Sequence, residues 1–518
     1  MPSTPASPQS QQRVAELLGA LSLATDSANG VPPETALRTA IVATRVGRAL
    51  DLPAKVLRDV YLTGLLRFLG CTAYAHETAA RWAAGEDQAL LRSVMIADAA
   101  RPSNLLRHAA RGLARVPVGR RAAALVRLST DASPGDLLAS AHCHLATTLA
   151  ARIGVGDGVV RALGQVYERY DGRGSPNQLA GDALEPAARL VILALRVVSH
   201  RAIEGPRAAI DVVQARRGSE LDPRFADVFL AHSDEILHVI DRDSVWETFL
   251  DEEPLPRLHL AANDLTPIAE AFADYADLKS PFTLGHSRGV AALADRVGAA
   301  MGLDKAARET LHLVALVHDL GRVAVANGIW DKPGPLTPIE RERAESHAMH
   351  TASILARTPL FAKVAAVAGQ AHERTDGSGY PRAGSAQGSL VSARILAACD
   401  VFHALDEDRP HRLAHGQAAV ALLVEEARAG RLDARAVEAV LATTGAPRGR
   451  TQLLPDGLTD REVEVLCLLA RGLSNKQIAA RLEISAKTVQ HHIAHVYEKT
   501  NLRTRAAAAI YAVEKRLV

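Results

Sequence analysis

An internal duplication constrains the fold of this chain more than any other feature. The segment ATRVGRALDL at 43–52 aligns with ADRVGAAMGL at 294–303, an offset of 251 residues. Farther along, YERYDGRGSPNQLAG at 167–181 aligns with HERTDGSGYPRAGSA at 372–386, an offset of 205 residues. The fall in offset corresponds to an insertion of 46 residues in the first copy, between about 85 and 140. The chain therefore holds two versions of one structural unit.

The sequence predicts an all-α protein. From about residue 33 onward apolar residues recur mostly at helical spacing, and few segments alternate apolar with polar residues. Ala, Leu and Arg dominate, and aromatic residues make up only 4% of the chain, a composition that favours helices over strands. Pro-rich segments at 250–258 and 443–457 indicate linkers.

These features divide the chain into six predicted segments. They are a disordered tail at 1–32, a helical domain at 33–245, a linker at 246–261, a second helical domain at 262–445, a linker at 446–456 and a small C-terminal domain at 457–518. The four cysteines form no C-x-x-C pair, which argues against a disulfide framework and fits a reducing cytoplasm. The net charge of +2 argues neither for nor against nucleic acid, and no uncharged apolar run is long enough for a membrane span.

The second copy carries a set of polar residues within apolar helices. They are His286, His318, Asp319, His347, His372 and Asp400. Their counterparts in the first copy are Thr35, Arg67, Phe68, His142, Tyr167 and Leu195. Five of the six have become residues that cannot form the same site, whereas the framework glycines persist. Loss of five of the six together indicates that the members of the set share one function.

Imidazole and carboxylate groups suit divalent ions such as iron, manganese or zinc, and the absence of cysteine from the set argues against a structural zinc site. Six candidate ligands from five segments suit two metal ions ~3.5–4 Å apart, bridged by Asp319 and a water or hydroxide. Such a pair generates hydroxide near neutral pH and neutralises the charge of a phosphodiester. The alternative for any single histidine is a core residue bonded to a backbone carbonyl.

The second copy resembles HD-GYP domains, a branch of the HD metal-dependent phosphohydrolases. The motifs that carry the resemblance are FTLGHSRGV (282–290), HDLGR (318–322), HAMHTASIL (347–355), HERTDGSGYP (372–381) and ARILAACDVFHALDEDRPHR (393–412). The resemblance implies an all-helical fold, two divalent metal ions (iron or manganese) and hydrolysis of cyclic di-GMP to its linear form or to GMP. It assigns the six polar residues as metal ligands.

The same resemblance implies roles for further residues. His318, Asp319 and Arg322 form the catalytic set, with Arg322 standing where the family usually has lysine. Tyr380, Arg409 and Arg412 match positions that contact substrate. Two departures, Ala371 in place of a histidine and Phe282 in place of a glutamate, together with Arg322 argue against a third metal.

The first copy resembles an HD domain that has lost its metal site. We expect no catalysis there, and we expect His142 to be a core histidine rather than a ligand. Two roles remain open for this copy, namely packing or dimerisation on the one hand and ligand sensing on the other.

The C-terminal segment 458–508 carries three helix N-cap signals, at Thr459, Ser474 and Ser485. Residues 455–518 have a local net charge of +3. The segment resembles the LuxR-type (FixJ/NarL-type) helix-turn-helix, which implies a four-helix domain that binds double-stranded promoter DNA, usually as a dimer. The predicted DNA-binding residues are Lys476, Lys487, Thr488, Gln490, His491 and Lys499. A helical bundle used only for protein contacts is the alternative.

Together these features predict a cytoplasmic, homodimeric transcription regulator that has no membrane partner. Its second HD copy binds cyclic di-GMP and is expected to hydrolyse it. Three alternatives stay open at this point: a sensor that binds a cyclic dinucleotide or another ligand without turnover, a phosphohydrolase of another nucleotide, and an inert scaffold.

Overall fold

The computed structural model describes residues 11–131, 134–261, 265–358, 361–382, 390–444, 455–502, 504–515 and 517–518. Apart from short 3₁₀ turns, these residues form α-helices and one antiparallel strand pair, β1 (Gln11–Arg13) with β2 (His259–Ala261). The prediction of an all-α fold is therefore confirmed. Among the described residues, no helix has the length and apolar character that crossing a membrane requires.

The described residues group into two compact units, one within 1–271 and 357–360 and the other within 272–356 and 361–518. The helices of the first unit are α1 (Val14–Ala28), α2 (Thr35–Ala49), α3 (Ala54–Leu66), α4 (Ala75–Arg81), α5 (Asp87–Val94), α6 (Pro102–Gly112), α7 (Val118–Thr130), α8 (Pro134–Ile153), α9 (Asp157–Leu163), α10 (Pro186–Glu204), α11 (Pro206–Arg216), α12 (Pro223–Ala231), α13 (Ser233–Val239) and α14 (Val245–Asp251). Helix α15 (Leu265–Asp277) runs across the boundary at 271.

The second unit contains the rest of the chain. Its helices are α16 (His286–Ala300), α17 (Lys305–Val317), α18 (Asn327–Trp330), α19 (Pro338–Glu345), α20 (His347–Leu355), α21 (Ala362–Ala368), α22 (Val391–Leu405), α23 (Ala418–Arg428), α24 (Ala434–Thr444), α25 (Asp460–Ala470), α26 (Asn475–Leu482), α27 (Ala486–Thr500) and α28 (Arg505–Glu514). Helices α25 to α28 are the four helices predicted for the C-terminal domain.

The two copies repeat the same local architecture. Helices α2 and α16 begin and end at residues 251 apart, and so do α3 and α17. A β-carbon on Gly321 would lie 2.1 Å from the carbonyl oxygen of His347, and one on Gly70 would lie 1.9 Å from that of His142. Since no real β-carbon fits at such a distance, only glycine allows this close approach of two backbones. Each copy therefore keeps the glycine after its HD-like position for the same packing reason.

The predicted boundaries need two corrections. The tail at 1–32 is wrong for Val14–Ala28, which forms α1 and buries Leu17, Leu18 and Leu21 completely or nearly so. The apolar spacing of VAELLGALSL is helical. The predicted tail extends into this helix because the segment before it is polar. The predicted linker at 246–261 also contains regular structure at both ends. Most of α14 lies at its start, and β2, which pairs with β1, lies at its end. Residues 1–10 lie outside the described residues, and so does most of the second predicted linker, namely 446–454 of 446–456.

The C-terminal helices begin where the sequence predicts. Thr459 and Ser474 each form a reciprocal capping box, with Glu462 and Gln477, and Ser485 accepts a hydrogen bond from the Thr488 backbone N–H. These side chains satisfy backbone N–H groups that the first turn of a helix leaves free. Val465, Leu466, Ile478, Val489 and Val496 fill the core beneath them.

Candidate metal centre and DNA interface

Five segments of the second copy bring the six predicted metal ligands together. His286 is the first residue of α16, and His347 is the first residue of α20. His318 is the C-cap of α17, and Asp319 follows it directly as the N-cap of a 3₁₀ turn, Leu320–Ala324. His372 lies in the loop after α21, and Asp400 lies within α22. All six are at least nine-tenths buried.

The Asp319 carboxylate lies at the middle of this cluster. Its Oδ1 is 3.1 Å from His347 Nε2 and 3.3 Å from His372 Nε2. Its Oδ2 is 3.8 Å from His318 Nε2 and 3.9 Å from His286 Nε2. Each carboxylate oxygen thus faces a different pair of imidazoles, which is the arrangement that two adjacent metal ions would need from a bridging ligand.

Asp400 closes the other side of the cluster. Its Oδ1 is 3.1 Å from His286 Nε2 and 3.8 Å from His318 Nε2, while its Oδ2 is 3.4 Å from His372 Nδ1. Among the described residues, three groups have metal-site spacing: His286, His318 and Asp319; Asp319, His347 and His372; and His286, His403 and Glu407. The first two groups share Asp319.

Backbone carbonyls fix the orientation of two ligand rings. His318 Nδ1 lies 2.7 Å from the Ala315 carbonyl oxygen, and His347 Nδ1 lies 2.6 Å from that of Ala344. Donation from Nδ1 leaves Nε2 as the lone-pair nitrogen that faces the cluster. His318 Nε2 is fully buried and has no hydrogen-bond partner among the described residues. A buried polar atom without a partner is costly, so the residues present fit a metal ion.

Glu407 is a site residue that the sequence reasoning missed. Both of its carboxylate oxygens lie within 3.1 Å of His286 Nδ1, and one lies 2.6 Å from His403 Nδ1. A carboxylate behind a ligating imidazole orients the ring and raises its basicity. The available signal was spacing, since Glu407 follows His403 by one helical turn and lies two turns after Asp400.

The electrostatics of the cluster favour cations. Burial opposes the charged form of His286, but Glu407 and Asp400 raise its pKa to about 10. His372 behaves in the same way, and its carboxylate neighbours raise its pKa to about 9. Although burial raises the pKa of Asp319, the Arg322 guanidinium and the surrounding imidazoles hold it well below its usual value. The ionised carboxylates therefore stabilise positive charge within the cluster, whether protons or divalent cations supply it.

Arg322 and Tyr380 adjoin the cluster. Arg322 Nη1 donates to Asp319 Oδ2 at 2.9 Å, and its guanidinium carbon lies 4.1 Å from the ring centroid of Trp330. The Tyr380 ring stacks on His372, with centroids 5.1 Å apart and 13° between the ring planes. Both residues are thus placed where they can act on a group held at the metal ligands.

The two predicted phosphate-binding arginines use their donors within the protein. Arg409 donates to Glu407 at 2.6 Å and to the Phe282 carbonyl oxygen at 3.3 Å. Arg412 donates to the carbonyl oxygens of Ala404 and Glu407. Arg409 adjoins the cluster through Glu407, whereas the contacts of Arg412 are to backbone. Either residue would have to exchange these partners to bind a substrate phosphate.

In the first copy, apolar residues occupy the positions of the two carboxylates. Phe68 and Leu195 pack in one buried cluster with Val31 and Cys71. His142 is buried and its Nδ1 lies 2.8 Å from the Tyr167 hydroxyl.

The predicted DNA-binding residues of the C-terminal domain are all on its surface, namely Lys476, Lys487, Thr488, Gln490, His491 and Lys499. Three of them, Lys487, Gln490 and His491, lie on the exposed face near the start of α27. Lys499 also has a structural contact, because its Nζ donates to Glu462 at 2.7 Å and to the Gly457 carbonyl oxygen at 3.0 Å. The Thr488 hydroxyl lies 2.8 Å from that of Ser485.

Comparison with known families agrees with this geometry. Residues 136–225 and 270–436 match the model of the HD domain, and residues 456–512 match that of bacterial regulatory proteins of the luxR family. The chain is an HD-domain protein with a C-terminal LuxR-family domain. The HD match falls on both copies, as the duplication predicts.

Individual relatives are phosphodiesterases. The chain is 28% identical to "3'3'-cGAMP-specific phosphodiesterase 3" of Vibrio cholerae over 77% of this chain and 88% of that protein. It is 36% identical to "Cyclic di-GMP phosphodiesterase response regulator RpfG" of Xanthomonas campestris over 31% of this chain and 42% of that one. The crystal structure of a cyclic GMP-AMP specific phosphodiesterase of V. cholerae, V-cGAP3, superposes with a TM-score of 0.58 at 25% identity, covering 87% of this chain and all of that one. The family match and these relatives support the assignment of the chain as a metal-dependent phosphodiesterase.

Proposed function

We propose that the chain is a DNA-binding transcription regulator whose second HD copy hydrolyses a cyclic dinucleotide with two divalent metal ions. The observation that carries this proposal is the position of Asp319, whose two carboxylate oxygens face two separate pairs of imidazoles. Iron or manganese suits this donor set of nitrogen and oxygen atoms.

Bound divalent ions would lower the pKa of a coordinated water and neutralise the charge of the phosphodiester. The protein's own residues prepare this chemistry. Asp319 and Asp400 stay ionised among the imidazoles and hold the cluster together. Arg322 anchors Asp319 and brings a permanent positive charge next to the metal ligands, although a guanidinium cannot serve as a proton donor near neutral pH. Tyr380 offers an aromatic face at the edge of the site.

Cyclic di-GMP is the proposed substrate, because the GYP triplet with Tyr380 resembles that of cyclic di-GMP phosphodiesterases. 3'3'-cGAMP is the competing substrate, because the relative that aligns with 77% of this chain is named as a 3'3'-cGAMP-specific phosphodiesterase. The two nucleotides share a cyclic ring of two phosphodiester bonds and differ in one base. The geometry of the metal ligands therefore serves either, and the assay must include both.

The experiment is a hydrolysis assay on manganese- or iron-loaded full-length protein, with chromatographic detection of linear product from each dinucleotide. The His318→Ala, Asp319→Ala double variant provides the blank. His350→Ala provides the matched control, since His350 lies on α20 one turn from His347 but is exposed. Product with wild type and His350→Ala but not with the blank supports the proposal. Dinucleotide binding without product contradicts hydrolysis and favours the sensor that binds without turnover.

We also propose that the C-terminal domain binds double-stranded promoter DNA in the cytoplasm, and that the protein acts there as a homodimer. Lys487, Gln490 and His491 offer hydrogen-bond donors on an exposed helix face, which suits the major groove and the phosphates beside it. The test is a gel-shift titration of wild type against Lys487→Ala, Gln490→Ala. Equal affinities for DNA in the two proteins would contradict this assignment.

The contacts inside the second unit support coupling between the two activities. Leu278 and Leu284, in the segment before the metal ligand His286, pack against the core of the C-terminal domain. Asp408, which follows Glu407, lies 3.9 Å from Arg481 and 4.0 Å from Arg471 of that domain. A segment that supports the metal ligands thus also contacts the DNA-binding domain.

Coupling requires the dinucleotide to favour one arrangement of these contacts over another. We expect the affinity for DNA to differ in the presence and absence of saturating dinucleotide, and we expect Asp408→Ala to reduce that difference. Asp406→Asn is the control, because Asp406 is exposed two residues away. An unchanged DNA affinity with and without dinucleotide would eliminate the coupling and leave the hydrolysis proposal standing.

A further inference from the structure

The first copy contains a buried cation where the second copy has a metal ligand. Arg67 occupies the position of His318, and only 7% of it is exposed. Its guanidinium carbon lies 4.4 Å from the ring centroid of Tyr167 and 5.5 Å from that of Phe68. These aromatic faces lie where His372 and Asp319 stand in the second copy.

Within the parts of the chain that the structure describes, two of the three nitrogens of this guanidinium lack an acceptor, and its side-chain partner is the Tyr167 phenol rather than a carboxylate. Neither Nε nor Nη1 of Arg67 has a hydrogen-bond partner among the described residues, and both atoms are buried. Those two nitrogens carry three N–H groups. No carboxylate forms an ion pair with Arg67 in the described part of the chain. A buried charge without a partner is strongly unfavourable.

The groups around Arg67 do not neutralise it. Burial raises the pKa of Cys71 and of Tyr167, which keeps the thiol and the phenol uncharged. Burial lowers the pKa of His142 to about 3, and the Arg67 charge adds to that effect, so the imidazole is also neutral. The buried carboxylate of Glu220 accepts hydrogen bonds from Arg196 instead. The local charge is therefore positive.

The contrast with the second copy is an inversion of charge. There, Asp319 and Asp400 supply negative charge to a cluster of imidazoles; here, their counterparts Phe68 and Leu195 are apolar and the only charged member of the set is a cation. One scaffold thus holds carboxylates at this place in one copy and a single buried positive charge in the other.

We propose that the first HD copy binds a phosphate-type oxyanion at Arg67. The oxyanion accepts hydrogen bonds from Nε and Nη1 of the guanidinium, and Tyr167, which is partly exposed, forms the edge of the site toward solvent. An oxyanion offers several acceptors to a planar guanidinium, and such charge-assisted hydrogen bonds are strong. Inorganic phosphate and the phosphate of a nucleotide share this chemistry.

The test uses full-length protein that carries His318→Ala and Asp319→Ala, so that no metal-bound phosphate contributes to the signal. Thermal unfolding and isothermal titration calorimetry are followed with inorganic phosphate in one arm and cyclic di-GMP in the other. We expect saturating phosphate to raise the unfolding temperature of the first unit by about 2–4 °C or more. A response to cyclic di-GMP at lower concentration than to phosphate identifies the nucleotide as the source of the oxyanion, and a response to phosphate alone identifies the free ion.

Three variants decide whether Arg67 is responsible. Arg67→Met removes the charge and keeps most of the side-chain volume, and we expect it to abolish the response to phosphate. In anion-free buffer we expect this variant to unfold at the same temperature as its parent or at a higher one, because an unpaired buried charge is gone. Arg67→Lys keeps a charge and guards against a folding defect in the first variant, and we expect it to respond only at higher phosphate concentration. Arg169→Met is the matched control, because Arg169 is equally buried but is paired with Asp98 and Asp171.

The control is expected to lose stability and to keep the phosphate response. The proposal is overturned if the parent protein responds to neither phosphate nor cyclic di-GMP, or if Arg67→Met and Arg67→Lys both respond like the parent. Neither result bears on hydrolysis in the second copy, since the parent protein of this experiment already lacks His318 and Asp319.

Discussion

Replacement of Glu407 by glutamine tests the metal centre without removing any ligand. Both carboxylate oxygens of Glu407 lie within hydrogen-bond distance of His286 Nδ1. The amide side chain of the Glu407→Gln variant would offer only one acceptor oxygen and no negative charge. Loss of such a partner behind a ligating imidazole typically weakens metal binding by about 10–100-fold, which corresponds to about 1.4–2.8 kcal/mol.

The structure also gives the direction of the electrostatic change. Against the effect of burial, the Glu407 charge is the largest of the interactions that raise the pKa of His286 to about 10. Without that charge, the pKa of the imidazole falls and its Nε2 becomes a weaker donor to a cation. The site then binds metal less tightly, yet all six ligands remain.

The assay is a titration of chelator-treated protein with manganese, followed by calorimetry and by hydrolysis of dinucleotide at limiting and saturating metal. We expect Glu407→Gln to lose activity at limiting manganese and to recover most of it at saturation. Asp406→Asn removes one charge from the adjacent exposed residue and is expected to behave like wild type. Equal manganese affinity in wild type and Glu407→Gln would refute the reasoning, and so would a loss of affinity in Asp406→Asn as large as in Glu407→Gln.

Three further predictions concern separate parts of the chain. Burial and Arg67 lower the pKa of His142 from 6.5 to about 3, so its contribution to stability is present above pH ~6.5 and is lost as the pH falls toward 3; acid unfolding followed by circular dichroism should show a weaker pH dependence in His142→Gln. Lys499→Met removes an ion pair with the capping-box carboxylate of α25 and should lower the free energy of unfolding by about 1 kcal/mol. Lys487→Met should leave stability unchanged and should reduce the slope of log K for DNA binding against log salt concentration by about one unit. Gly321→Ala should abolish metal binding and activity because its β-carbon would meet a backbone oxygen at 2.1 Å, while Gly334→Ala, which meets no atom within 4 Å, should leave both unchanged.

The sequence predicts the scaffold and the ligand cluster because both depend on local patterns. Helix spacing and capping residues define where helices lie, and the duplication ties each polar residue to a counterpart. The position of Asp319 between two pairs of imidazoles fits the two-metal site that six ligands from five segments indicate. These inferences need only residue type and register, which the amino-acid sequence contains.

Contacts between distant segments are harder to predict. Glu407 contacts His286 across 121 positions of sequence. It stands between two other acidic residues, Asp406 and Asp408, and its helical spacing from His403 was the one signal that distinguished it. Arg409 and Arg412 match substrate-contacting positions of the family by sequence, but the structure shows their donors engaged with Glu407 and with backbone oxygens. Which acceptor a long side chain uses depends on the packed structure rather than on the motif.

The helix at Val14–Ala28 shows a different reason for a wrong prediction. Its apolar residues have helical spacing, but the segment before it in the sequence is polar and rich in proline. Almost all of its residues are buried in the first unit, so its stability comes from tertiary packing rather than from intrinsic propensity. A boundary placed by composition alone therefore fell on the wrong side of the helix.

Arg67 bears on the two roles that the sequence leaves open for the first copy. A domain retained only for packing would gain stability from an apolar residue at this buried position, because burial of an unpaired guanidinium opposes folding. The neighbouring replacements, Phe68 and Leu195, are apolar and pack well, which shows that the scaffold accommodates such residues. The cost of Arg67 is therefore specific to that residue, and binding of an anion in the folded state would offset it. On this argument, packing accounts for the scaffold of the first copy, whereas ligand sensing accounts for its arginine.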